Sequence, residues 1–380
     1  MKKIEKFPKI IIVGAGPIGC YLGQMLKHYG FNPLLFEEHK EVGLPVSCAG
    51  IVGKDVFSAT VIPISKQSIL NVIDGAKINF NDSAFLLKRP SVAYIVDRAA
   101  FDKNLSLGLD IQFETRLEDI KKEENGYLLK TTKGEYFAEI LIGADGPYSR
   151  VRKLLGFNSN LTLYKGLQYR IKKEVPDKDR VQVNYIKPFS FFNWLIPEGN
   201  GIVRIGTISN KPIFELEKFM EENGIKGEII EKNAGPVPIG TCDLVKENAA
   251  LVGDAACQVK PITAGGIFYG IKSAEILAKA IKNENLKNYE QEWEESFGKE
   301  ISLCLLIRYV MENIDNKVLK KVFEYIKENA PLIEKMGDFE NHSSVLWSLV
   351  ANPRTYPTIG SVFMGVMKNP KILMRLLRRR

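Results

Sequence analysis

An α/β fold built on a parallel sheet is predicted by three observations. A β-branched run, Ile10-Ile11-Ile12-Val13, breaks at Gly14-Ala15-Gly16-Pro17-Ile18-Gly19 and passes into Tyr21, Leu22, Met25 and Leu26 at helical spacing. Gly30 then stops the helix, and a second strand, Pro33 to Phe36, ends on Glu37. The strand-then-turn pattern returns at Ile140-Leu141-Ile142-Gly143-Ala144-Asp145-Gly146-Pro147 and at Ala249 to Ala256, where a strand ends on Gly253-Asp254. Past Asn285 the pattern is helical throughout.

Each position of the opening turn has a physical role. Gly14 permits the tight strand-to-helix turn, Gly16 lets a pyrophosphate approach bare backbone, and Gly19 lets the helix lie close to the sheet. The free N–H groups of the helix start and their partial positive charge suit phosphates. Gly14, Ala15, Gly16, Pro17 and Gly19 are therefore expected around a dinucleotide. Glu37, at the tip of the next strand, can accept both hydroxyls of an adenosine ribose and repel a 2′-phosphate, which selects FAD or NAD over NADP. The competing reading is a tight βα turn with no ligand.

A chain of 380 residues, 45% apolar and 26% charged, has room for two or three domains and the composition of a globular protein. No run approaches the roughly twenty apolar residues that span a bilayer. The opening MKKIEKFPK lacks the apolar core of a signal peptide, so a cytoplasmic location is expected, with no nucleic-acid partner. The net charge of +8 is concentrated in part at the end of the chain, Pro370 to Arg380, a short basic segment whose leucines can form one face. Such a segment suits peripheral contact with an anionic inner membrane surface, or else a solvated end. Five cysteines, Cys20, Cys48, Cys242, Cys257 and Cys304, with no CxxC spacing, and three scattered histidines argue against a disulfide framework and a metal site.

The remaining elements follow in order. Ile73 to Tyr94 reads as hairpin material with turns at Asp74-Gly75 and Asn81-Asp82, and Asp97 caps a helix. A meander runs from Thr115 to Ile142, Leu161 to Gly206 is strand-rich with a charged hairpin tip at Lys172 to Arg180, and Pro212 to Glu222 is an amphipathic helix. A long helix spans Ile267 to Ile281, followed by helices at Tyr289 to Glu312, Lys317 to Glu328 and Ser343 to Val350.

Taken in this order, the turn with Glu37, the Gly143-Ala144-Asp145-Gly146-Pro147 motif, and Gly253-Asp254 with Pro261 and Gly265-Gly266 resemble the fingerprints of FAD-dependent oxidoreductases of the hydroxylase type. Asp254 would accept hydrogen bonds from ribityl hydroxyls, and Gly265, Gly266 and Ile267, opening a helix, would turn their N–H groups toward the flavin pyrimidine. Asp145 is expected to tie its loop to the sheet rather than to touch ligand. Within that group, Leu44-Pro45-Val46-Ser47-Cys48-Ala49-Gly50 and Tyr94-Ile95-Val96-Asp97-Arg98 with Phe101-Asp102 resemble segments of the geranylgeranyl reductase family, which reduces isoprenoid double bonds. The resemblance implies a Rossmann-type FAD domain (1–72, 95–160, 235–285) interleaved with an α+β substrate domain built on a β-sheet (73–94, 161–234), and a helical region at 286–380. It places Cys48, Ala49 and Ile51 along the flavin, Arg98 beside it, and the backbone near Arg116 against adenine. The family's aromatic substrate motif corresponds to Phe189 to Pro197, where Phe192, Trp194 and Pro197 would meet substrate. Phe192 stands for the usual tyrosine, and Ala49-Gly50 for the usual glycine and acid. Strand alternation puts Phe192 and Trp194 on one face and Phe189, Phe191 and Asn193 on the other, as core or as substrate wall.

The activity so implied is reduction of an unactivated alkene in a prenyl chain or prenyl lipid, with hydride from flavin N5 and a proton delivered to the other carbon. Cys48 is the candidate donor, because desolvation would keep a buried thiol protonated; packing as a small hydrophobe is the other reading. With no second nucleotide fingerprint, electrons would come from a ferredoxin or a loosely docking nicotinamide. A FAD-dependent monooxygenase acting on an apolar substrate and a flavin-binding electron carrier are the rival functions.

Overall fold

The computed structural model describes residues 9–186, 191–341, 343 and 356–367. Phe189, most of the helix expected over Ser343 to Val350, and the basic segment Pro370 to Arg380 lie outside these residues, as does the side chain of Phe191.

The continuous apolar runs build a sheet buried on both faces. Its strands lie in the order Val245–Lys246, Ala249–Leu251, Ile140–Gly143, Ile10–Val13, Leu34–Phe36 and Asp110–Gln112. All are parallel except the edge strand Val245–Lys246, which pairs antiparallel with its neighbour. Val13 lies opposite Gly143, and Gly143 opposite Leu251, so the turns at Gly14, Ala144 and Gly253 leave the same carboxyl edge side by side. Helices Pro17–His28 and Ile267–Lys282 pack against each other beside this sheet.

A second sheet, antiparallel apart from one pair, has the order Glu228–Cys242, Ser159–Lys172, Ile202–Ser209, Phe191–Gly199, Arg180–Ile186, Ile69–Phe80, Ser83–Val96 and Ile51–Gly53. Helix Pro212–Glu222 covers one face, setting Leu216 and Phe219 among Ile171, Val203 and Ile205. A three-stranded meander, Leu117–Glu123, Gly126–Thr131 and Gly134–Ala138, completes the β structure.

Three sequence expectations change. The charged stretch at 172–180 is not a hairpin tip, because the strands on either side of it are separated by two others; Lys173 donates its amide to Gly201 O instead. Asp74-Gly75 is a bulge within Ile69–Phe80 rather than a turn, and the hairpin closes at Asn81-Asp82 alone. The domain boundary placed at 235 falls inside the strand Glu228–Cys242, which runs on without a break beside Ser159–Lys172.

Toward the C-terminus, Lys287–Trp293 and Lys299–Asn313 are joined through a π-helical turn at Glu294–Gly298, so they form one continuous rod. Helix Asn316–Glu328, capped by Asp315, packs Phe323 on Phe80 with ring centroids 5.5 Å apart. Helices Ala330–Met336 and Tyr356–Met367 follow. Among the described residues no helix is long and apolar enough to cross a membrane.

Candidate active site

The three adjacent turns and the uncovered face of the second sheet border a cavity of about 1270 Å³. At one end it is a cradle of backbone. Gly14 adopts φ +100° and donates to Phe36 O at 2.8 Å, while Ala144 donates to Val13 O at 2.8 Å, so two turns are tied to the sheet edge. Gly16 is the N-cap of Pro17–His28 and has no side-chain cap; a Cβ there would meet no protein atom within 4 Å. Gly19 lies beneath the turn rather than in the cavity wall, as close helix–sheet packing requires.

Glu37 also lines the cavity, with Oε2 accepting from Ala15 N at 3.1 Å and Oε1 held by His39. It therefore fixes the glycine turn as well as facing the space expected for a ribose. Asp145 accepts from Ser149 Oγ, Arg150 N and Val151 N, tying its loop to the following helix. Arg116 is in the wall, but its amide donates to Thr132 Oγ1 and its carbonyl accepts from Thr132 N. The backbone contact expected for adenine thus falls to the second lone pair of that carbonyl alone.

A second uncapped helix start opens on the same space. Gly266 is the N-cap of Ile267–Lys282, and Gly265, Gly266 and Ile267 all line the cavity with Asp254. Among the described residues the Asp254 carboxylate has no hydrogen-bond partner, and burial pushes its pKa up to about 6 against the pull of Arg98. This donor and acceptor set fits FAD. One helix start would hold the diphosphate, the other would face the ring, and the Asp254 carboxylate would accept from hydroxyl donors.

Cys48, Ala49 and Ile51 bring the loop expected along the flavin into the wall. Cys48 is half-buried rather than enclosed, with its sulfur accepting from Gly50 N at 3.3 Å and meeting the Arg98 guanidinium. Arg98 is held in turn by Asp102 through hydrogen bonds of 3.0 and 3.1 Å. Burial opposes the Arg98 charge, but Asp102 and the Cys48 sulfur together outweigh it and raise its pKa. Asp102 belongs to the segment that carries the resemblance but was given no role there; its i,i+4 spacing from Arg98 on a helix was the available signal.

Sequence reading missed Arg204, which donates to Ala49 O at 2.9 Å and Val96 O at 3.0 Å while bridging to Glu198 at 2.7 Å. No local pattern marks that link. Gly50 adopts φ +72°, and a side chain there would collide with the Arg204 guanidinium, which explains glycine at this position.

The far part of the cavity is apolar. Phe192, Trp194 and Ile196 alternate along one strand face and meet Ile208, Val181 and Ile73. Trp194 Nε1 donates to Gln168 Oε1 at 2.9 Å, and Gln168 Nε2 reaches Cys48 O at 3.3 Å, so the aromatic wall is wired to the cysteine loop. Pro197 does not join them. One residue on from Ile196, it faces away by the strand's period of two, and its carbonyl accepts from Asn71 Nδ2.

Asp254 provides a test that needs no turnover. Its pKa of about 6 lies above the ordinary 3.8, so between these values the folded flavin-free chain retains a proton that the unfolded chain has released. Stability falls as pH rises through that window and remains lower above it. Asp254→Asn is expected to raise the melting temperature of flavin-free protein at about pH 8, to lose that advantage near pH 4, and to weaken FAD binding. Melts of both proteins at the two pH values check this.

Fold and site together define a FAD-dependent oxidoreductase. A family model described as pyridine nucleotide-disulphide oxidoreductase matches residues 11–168. Digeranylgeranylglycerophospholipid reductase 3 of Methanosphaera stadtmanae is 30% identical over 362 residues, covering 83% of this chain and 89% of that protein. An uncharacterized protein of Methanocaldococcus jannaschii is 32% identical, covering 88% and 93%. A geranylgeranyl bacteriochlorophyll reductase-like structure from Thermoplasma acidophilum superposes with a TM-score of 0.78 at 24% identity, covering 90% of this chain and 99% of that one, a likeness of fold. The chain belongs to the FAD-dependent geranylgeranyl reductase-like family.

Proposed function

We propose that this protein reduces carbon–carbon double bonds of an isoprenoid chain, free or carried on a lipid. The observation that carries the reading is continuity. The apolar arm walled by Phe192, Trp194 and Ile196 shares one cavity with the cradle formed by Gly14, Asp254 and Gly265. The name of the Methanosphaera relative supports the same substrate class.

FAD bound along the three turns would supply hydride to one alkene carbon. The helix starts at Gly16 and Gly266 would stabilise negative charge on the bound group, and the apolar walls would exclude water from the alkene. Cys48 would give its thiol proton to the other carbon, with the Arg98 cation balancing the thiolate left behind. Re-reduction would draw on a ferredoxin or a loosely docking nicotinamide. Contact with a membrane surface through Pro370 to Arg380 belongs to this proposal. Support comes from helix Tyr356–Met367, where Phe363 and Met364 are exposed.

Anaerobic incubation of dithionite-reduced protein with geranylgeranyl diphosphate is expected to add two hydrogens per double bond, read by mass spectrometry. Oxygen incorporation coupled to NADPH oxidation, with no saturated product, would instead make the protein a monooxygenase. Cys48→Ala is expected to slow alkene reduction at least about tenfold with FAD content unchanged. A full rate in that variant would leave Cys48 a packing residue.

A further inference from the structure

We infer that Arg89 is the anchor for a phosphate-bearing head group on the substrate, an inference that rests on the isoprenoid reading above. Along Ser83–Val96 the odd-numbered side chains from Ser83 to Arg89 lie on the more buried face, and Leu87 and Arg89 both line the cavity. A cation thus occupies a position where the pattern calls for an apolar residue. Every other arginine among the described residues has a carboxylate or carbonyl partner, from the exposed Arg116 to the buried Arg204 and Arg308. Arg89 has no hydrogen bond or ion pair among the described residues.

Two acids of the same cavity wall accept backbone amides. Glu334 Oε1 accepts the Lys88 amide at 2.7 Å, and Asp338 Oδ1 accepts the amides of Glu340 and Asn341. Neither forms an ion pair with Arg89. A half-buried guanidinium that faces a cavity and forms no ion pair there is free to take an anionic ligand, and its planar fork matches phosphate oxygens.

Position agrees with charge. Ile51, in the cysteine loop, pairs with Ile95 on this strand, and Arg89 lies six residues farther along. The bulge opposite Asp74 takes up part of that length: Ile95 pairs with Asn71 and Lys88 with Gly75, so the two positions lie about four residues apart along the sheet, about 13 Å at ~3.3 Å per residue. Lys88, beside Arg89, is exposed and also lines the cavity, so the apolar arm reaches solvent here and a charged head can remain partly hydrated.

The test is binding to the oxidised holoenzyme, followed by perturbation of the flavin absorbance, with geranylgeranyl diphosphate, digeranylgeranylglycerol phosphate and geranylgeraniol as probes. Arg89→Gln is expected to weaken both phosphate-bearing ligands at least about tenfold and to leave geranylgeraniol within about twofold, with Arg89→Lys intermediate. A larger loss for the diphosphate assigns the site to a free prenyl diphosphate, and a larger loss for the glycerol phosphate assigns it to a lipid. Equal weakening of all three ligands, or of none, overturns the inference. Wild-type protein that shows this binding pattern yet saturates no double bond when reduced would remove the proposed reaction while leaving the head-group site in place.

Discussion

Gly19→Ala is expected to purify without flavin and to melt below the wild type. The residue sits in the first full turn of Pro17–His28, and a Cβ there would run into the carbonyl oxygen of Gly14 and lie 3.2 Å from Ala144 Cβ. Neither neighbour can yield cheaply. Gly14 is held at φ +100° with its amide on Phe36 O, and Ala144 is held by Val13 O. The helix must lift instead, at a strain of roughly 1–3 kcal/mol, and its N-terminal amides would move away from where a diphosphate lies. Gly16→Ala is the matched control. A Cβ at Gly16 meets no protein atom within 4 Å and points into space that the cavity occupies. The flavin-free Gly16→Ala protein should keep the wild-type melting temperature and still bind FAD more weakly. Flavin absorbance per protein and melts of the flavin-free forms separate the two effects. Wild-type flavin content in Gly19→Ala would contradict the close packing of helix on turn.

What could be read from the chain was local. The turn from Gly14 to Gly19, the Asp97 cap on Ala100 N and helix Pro212–Glu222 depend on residues within a few positions of one another, and spacing alone reveals them. Strand alternation put Phe192 and Trp194 on one face, and both do line the cavity. The same alternation applied one step further would have excluded Pro197. The misreadings arise where pairing is non-local. The stretch 172–180 has the composition of a hairpin tip, but which strands become neighbours is decided by the whole sheet. Partners of the site were hidden for the same reason. Arg204 reaches Ala49, Gln168 reaches Cys48, and Lys260 forms a buried bridge of 2.8 Å to Glu340 in the cavity wall, each across a span of sequence that no periodic pattern bridges.

Glu198→Gln is expected to lower stability by about 3–5 kcal/mol at neutral pH, the usual consequence of leaving a buried charge without its partner. The Arg204 and Glu198 side chains are each 6% exposed and meet at 2.7 Å, while Arg170 binds the same carboxylate at 2.9 and 2.6 Å. With glutamine in place, Arg204 stays charged and buried with only neutral oxygens around it. Because Arg204 also carries Ala49 O and Val96 O, the cysteine loop loses its fixed support and FAD affinity should fall too. The pH dependence identifies the cause. Burial alone would raise the Glu198 pKa, but Arg170 and Arg204 together bring it below the ordinary 4.5. A carboxylate depressed on folding contributes stability that is fully present above the unfolded value and is lost as pH falls through the folded one. The wild type should therefore lose its advantage over Glu198→Gln below about pH 4.5, and the two denaturation midpoints should converge in acid. Midpoints that stay equally far apart from pH 7 to pH 3 would show that the loss comes from packing rather than from the charge.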